Sequence, residues 1–136
     1  MKSAIVTAIE AVTPDSQASA RDVFRHVDNA GRTGMRAPDR VFFVDAVGLP
    51  NRAELLTVDA YKVQMSITVL YSVAPGKTED RVLSDCERIS HALINLAAQD
   101  ADLYAVEVTP LDMFENENTI EAQITVDAIY RLTGVA

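Results

Sequence analysis

Two thirteen-residue stretches, 61–73 and 120–132, alternate apolar and polar residues almost without a break, with an amphipathic helical pattern between them. In the first, Tyr61, Val63, Met65, Ile67, Val69, Tyr71 and Val73 fall on one side, while Lys62, Gln64, Ser66, Thr68 and Ser72 fall on the other. The second sets Ile120, Ala122, Ile124, Val126, Ala128, Tyr130 and Leu132 against Glu121, Gln123, Thr125, Asp127 and Arg131. Successive side chains of a strand leave opposite faces of a sheet, so a period of two over this length predicts two strands with one buried face each. At about 3.3 Å per residue each would run about 40 Å. A domain of this size has a radius of gyration of only about 14 Å, so such strands must cross the whole globule and are expected to project from it.

The rest of the chain supplies what would cover that face. Val82, Cys86, Ile89, Leu93 and Leu96 recur at helical spacing, Thr78 is placed to cap their helix, and Glu79 and Asp80 suit its positive end. Ile5, Ala8, Ile9 and Val12 predict a short helix ended by Thr13 and Pro14, although a strand also fits there. Asp15 or Ser16 can cap a second short helix carrying Val23, Phe24 and Val27. Residues 28–38, DNAGRTGMRAP, predict an exposed loop. A strand is expected over 40–47, a break at Gly48 to Asn51, and an early return strand or hairpin around 55–58. A shorter strand at 103–109 and an acidic turn at 110–118 complete the pattern. The expected fold is α+β: a mostly antiparallel twisted sheet with two very long strands, packed on one face by a main helix and an N-terminal helix or helices.

With 136 residues, 49% of them hydrophobic, the chain is read as one domain able to build its core without metal or disulfide support. Its single cysteine, Cys86, excludes an intramolecular disulfide framework. Glu10 interrupts the N-terminal apolar run before a signal-peptide core of ordinary length is complete, and no stretch approaches a membrane span. A cytoplasmic product is therefore expected. The net charge of −8 is unevenly placed: residues 1–52 hold seven Lys and Arg against six Asp and Glu, whereas residues 53–136 hold five against fourteen. Such an acidic surface argues against gripping nucleic acid, which needs clustered cations, but suits a channel through which DNA passes without sticking. Solubility alone also accounts for it.

Several chemical motifs fail on inspection. Gly76, Lys77 and Thr78 look like the tail of a phosphate-binding loop, but the required first glycine falls at Tyr71 and Pro75 removes an amide donor. His26 lies four residues after Asp22, which offers two ligands where a metal site needs three or four. His91 reads as a helix-edge residue, and Cys86 as a small hydrophobe within the helical stripe. Asp112, Glu115, Glu117 and Glu121 lack the alternating ligands and central glycine of a calcium loop. Met65 and Met113 read as packing residues. No nucleophile elbow or triad spacing is present, so enzymatic activity is not expected.

The segments RVFFVDAVGLP, YKVQMSITVLYSV, DRVLSDCERISHALINL and IEAQITVDAIYRL together resemble the small tail terminator, or tail completion, proteins of tailed bacteriophages, over roughly residue 40 to the C-terminus. The likeness is one of architecture, so no family site residue carries over. It implies a structural virion protein without a cofactor, made in the host bacterial cytoplasm and placed in the tail or neck. Such a protein would form a homo-oligomeric ring, expected as a hexamer, that ends tail polymerisation and presents a head-joining surface. The implied partners are further copies of itself, a tail tube protein and a head-closure or connector protein. DNA would pass through the lumen without specific binding, and no membrane is involved. A head-closure or other connector protein is the near alternative. A dimeric small-molecule-binding regulatory domain that pairs sheet edges is one from another class, and an uncharacterised enzyme is a third. The charge segregation suggests where ring contacts would lie: Arg21, Arg25, Arg32, Arg36, Arg40 and Arg52 against Asp100, Asp102, Asp112, Glu115 and Glu117 of a neighbour. The loops at 28–38 and 48–59 are further candidates.

Overall fold

The computed structural model describes residues 2–14, 23–27, 40–48, 51–54, 59–72, 78–99, 103–115 and 119–131. Among these residues the elements run α1 (Lys2–Glu10), β1 (Arg25–His26), β2 (Val41–Ala46), β3 (Asn51–Glu54), β4 (Asp59–Ser72), α2 (Thr78–Ile94), α3 (Leu96–Gln99), β5 (Leu103–Glu115) and β6 (Thr119–Arg131). The fold is α+β, as the alternation predicts. One sheet has the strand order β1-β2-β4-β6-β5, with β3 paired to the first residues of β4 beside β2. Every pairing is antiparallel except β1 with β2.

The two long strands are central neighbours. β4 and β6 pair without a register shift from Ala60 opposite Arg131 to Ser72 opposite Thr119. Their alternation fixes which face is buried: Val63, Met65, Ile67, Val69 and Tyr71 join Ile120, Ala122, Ile124, Val126 and Ala128 in one core cluster. Val82, Ile89 and Leu93 of α2 and Ile5 and Ile9 of α1 close that cluster from above. A 17-residue helix is about 25 Å long, which matches the roughly 27 Å from Val63 to Tyr71 along the strand. The long strands therefore carry a covered core over most of their length. Tyr61 and Tyr130 mark its margin, with ring centroids 6.4 Å apart.

Four features differ from the sequence reading. Val23, Phe24 and Val27 form no helical face: Phe24 is buried, Val23 is exposed, and Arg25 and His26 pair in parallel with Val41 and Phe42. A ladder to β2, with Arg25 N–H donating to the Arg40 carbonyl and Val27 N–H to the Phe42 carbonyl, both at 3.0 Å, replaces the local helix. β5 runs through Pro110 to Glu115, where a turn is expected. Among the described residues only β6 flanks it, so a proline with no N–H is tolerated, with the ladder shifting register between Pro110 and Asp112. Asn51, expected in a break, starts the strand Asn51–Glu54, while the return strand or hairpin expected at 55–58 lies outside the described residues. Lastly, the sheet is not one-sided everywhere. Val41 and Phe43 share the far face with Leu70 and Thr68 by register, yet Val41, Phe43 and Leu70 are all buried. The expected loop at 28–38 and the expected helix caps Asp15 and Ser16 also lie outside the described residues.

Candidate functional site

The most constrained cluster joins β2, β4 and α2. Arg40, immediately before β2, has a left-handed backbone with φ of 55°, a conformation that costs a side-chain-bearing residue about 1–2 kcal/mol. Its Nε donates to Asp85 Oδ2 at 2.8 Å, and the Tyr71 hydroxyl donates to the same oxygen at 3.1 Å. The guanidinium also lies 6.0 Å from the centroid of the Phe24 ring. Arg40 is 3% exposed and Asp85 is fully buried. Burial first, then the negative charge of Asp85 and the hydrogen bond to it, pushes the Tyr71 hydroxyl far above its ordinary range. The tyrosine thus stays a donor and is unsuited to act as a base. Two charges with fixed partners in a dry interior form a structural clasp rather than a reactive centre.

Arg40 was expected on a subunit-contact surface, and the structure moves it to the interior because Asp85 demands a cation there. Helical spacing contains a signal for this. Position 85 lies three residues after Val82 and four before Ile89, on the buried stripe, and a carboxylate at such a position needs a partner. Reading Cys86 as the stripe residue obscured it. Cys86 is only half-buried, and burial raises its thiol above the ordinary value. That keeps it protonated and unreactive.

A groove of about 470 Å³ opens between the end of α1 and the run from α2 into α3, lined by Ala8, Val12, Arg88, His91, Asn95 and Leu96 among others. Arg88 Nη1 donates to the Thr13 carbonyl at 3.1 Å, tying the α1 end to α2. His91 Nε2 and Asn95 Nδ2 are 3.4 Å apart at its exposed rim. His26 lies tilted against Phe42 with ring centroids 5.4 Å apart, and its Nε2 is buried without a hydrogen-bond partner among the described residues. Among the described residues no group of three or more His, Cys, Asp or Glu side chains is placed to hold a metal, and no helix is long and apolar enough to cross a membrane.

The remaining expected contact residues that lie within the described chain are scattered over the sheet. Arg25 is exposed on β1, one edge of the sheet. Asp112 is exposed on β5, the other edge, where its Oδ1 accepts a hydrogen bond from Met113 N–H at 2.8 Å. Glu115 ends β5, and Arg52 lies in β3. Arg21, Arg32, Arg36, Asp100, Asp102 and Glu117 lie outside the described residues. Sequence reading passed over Glu107, which is exposed on β5 directly opposite Asp127 of β6. No family model matches this chain, and no curated protein matches it significantly.

Proposed function

We propose that this chain is a ring-forming structural protein that caps the head-proximal end of a phage tail tube, ends its polymerisation and offers the head-joining surface. The observation that carries the ring is the distribution of charge on the sheet edges. β1 presents Arg25 at one edge, while β5 presents Glu107 and Asp112 at the other. Unlike edges of opposite sign favour a heterologous, head-to-tail contact, and such contacts close into rings when the rotation permits. The tail-end assignment rests on the architectural resemblance of β2, β4, α2 and β6 to tail terminator proteins. In this reading the protein works through surfaces and needs neither cofactor nor catalytic group. Its partners are further copies of itself, the tail tube protein and a head-closure or connector protein.

Reversing the basic edge tests the contact. Arg25→Glu is expected to lower the average mass of the assembly in low salt while leaving the folded monomer intact. The difference should shrink as salt rises, because exposed charges are screened within about 10 Å at 0.1 M. An unchanged mass profile would remove Arg25 from the interface. The groove between α1 and α2 favours a second reading, a small-molecule-binding domain, which predicts a ligand-dependent rise in thermal stability.

A further inference from the structure

We infer that an apolar strip between α2 and β5 receives a second copy of this chain, which enters with the outer flank of its α1 and with Arg25. The inference rests on the head-to-tail reading above and names the surfaces that meet.

Most of the large apolar side chains that stay exposed among the described residues lie on this side of the molecule, including Leu83 at 55%, Ile94 at 52% and Met113 at 37%. Helical geometry and strand register bring them together. α1 packs against β1 and β2, and α2 against β4 and β5. At 3.6 residues per turn, the groove residues Arg88, Ala92 and Asn95 fall on the flank of α2 towards α1, and Leu83 and Ile94 fall on the other side of the buried Val82, Ile89 and Leu93. That second flank overlooks β5. On β5, Val106, Val108 and Met113 stand opposite Ala128, Val126 and Ala122 of the core, so they share the helix side of the sheet, and Val106 and Val108 are only partly buried. Leu83 and Ile94 are about 17 Å apart along the helix, and Val106 and Met113 about 23 Å apart along the strand. Apolar groups gathered over two adjoining elements mark a contact surface, which single scattered ones do not.

Charge chooses the occupant. Glu87 is exposed on the same flank of α2, Glu107 is exposed on the far face of β5, and no Lys or Arg lies between Ile89 and Tyr130. A partner with cations beside apolar groups fits this border. The opposite side of the same chain carries both. Lys2 and Val6 are one turn apart on the flank of α1 away from the groove, with Lys2 exposed and Val6 partly buried. Arg25 is exposed with Val23 at the β1 edge and shares the far face of the sheet with Val41. One head-to-tail placement therefore sets Lys2 and Val6 against Glu87, Leu83 and Ile94 on the helix side, while Arg25 comes beside Glu107 on the far face. Glu10, the acid on that flank of α1, lies two turns beyond Lys2, about 12 Å along the axis, so it does not cancel the cation at this contact.

Two one-sided variants test the assignment. Leu83→Asp/Ile94→Asp spoils the strip and leaves the α1 side intact, and Lys2→Glu/Arg25→Glu does the reverse. In sedimentation equilibrium each alone is expected to associate at least tenfold more weakly than wild type. Their equimolar mixture is expected to form a heterodimer at least tenfold tighter than either self-association, because one sound pair of surfaces remains. A mixture no heavier than its separate components, or a strip variant that associates like wild type, would overturn the inference. Leu83→Gln/Ile94→Gln, which keeps helix-forming residues, replaces the first variant should that one fold poorly, and is judged by the same outcomes. The ring is judged apart from the strip. Wild-type rings that form regardless of Leu83 and Ile94 remove the strip and keep the ring, whereas a heterodimer from variants of a wild type that grows into open chains keeps the strip and removes the ring.

Discussion

Arg40 holds three elements together from a backbone conformation that few residues adopt. Its φ of 55° is offset by a 2.8 Å charge-assisted bond to Asp85, by the Phe24 ring and by its carbonyl, which receives Arg25 N–H. Removing either partner leaves the other charge buried, so Arg40→Ala and Asp85→Ala should each lower the unfolding free energy by about 3–5 kcal/mol. The apolar pair Arg40→Met with Asp85→Leu should recover much of that loss, because the desolvation cost of both charges disappears with them. Equilibrium denaturation of wild type, Arg40→Met, Asp85→Leu and the double variant closes a cycle, and additive losses in it would show that the pair is not coupled. Tyr71 supplies a pH signature. Its folded hydroxyl holds its proton well above the unfolded value of about 10, so the folded state binds more protons than the unfolded state at alkaline pH. The stability it contributes is complete below that pH and declines above it, at up to about 1.4 kcal/mol per pH unit. Tyr71→Phe should flatten this alkaline loss relative to wild type, and identical slopes in denaturant titrations from pH 9 to 11 would count against the buried donor.

The elements show which features of a sequence carry structural information without ambiguity. β4 and β6 were legible because thirteen residues of period two leave only one face to bury, and the observed core takes those apolar residues. α2 was legible from its stripe, with Val82, Ile89 and Leu93 buried. β1 was not, since two residues paired in parallel to β2 leave no periodic trace, and Val23, Phe24 and Val27 satisfy a helical spacing by chance. The extension of β5 was hidden by Pro110, a residue that signals a turn in isolation but is harmless where the strand has an open side. The burial of Val41 and Phe43 on the face away from the helices was likewise invisible to alternation, which reads a four-residue apolar run without saying what meets each side. On the surface, Arg25 and Asp112, contact candidates from charge segregation, are exposed, whereas Arg40, a candidate on the same ground, is buried. Sign and sequence position do not tell an exposed cation from one drawn inward by a carboxylate on another element.

At the scale of the whole molecule, the helices cover one face of the sheet, and its two edges differ in charge and in regularity. β1 is a two-residue edge carrying Arg25, and β5 is a thirteen-residue edge carrying Glu107 and Asp112. In the proposed reading, edges of opposite sign favour a head-to-tail contact, which closes into a ring when the rotation permits. The direct test is the mass of the wild-type protein by light scattering over a wide concentration range, with negative-stain images of the same sample. The account predicts a closed ring with a central hole, growing in population with concentration and weakening as salt rises. A two-fold dimer that persists across the whole concentration range, with no ring in the images, would contradict it.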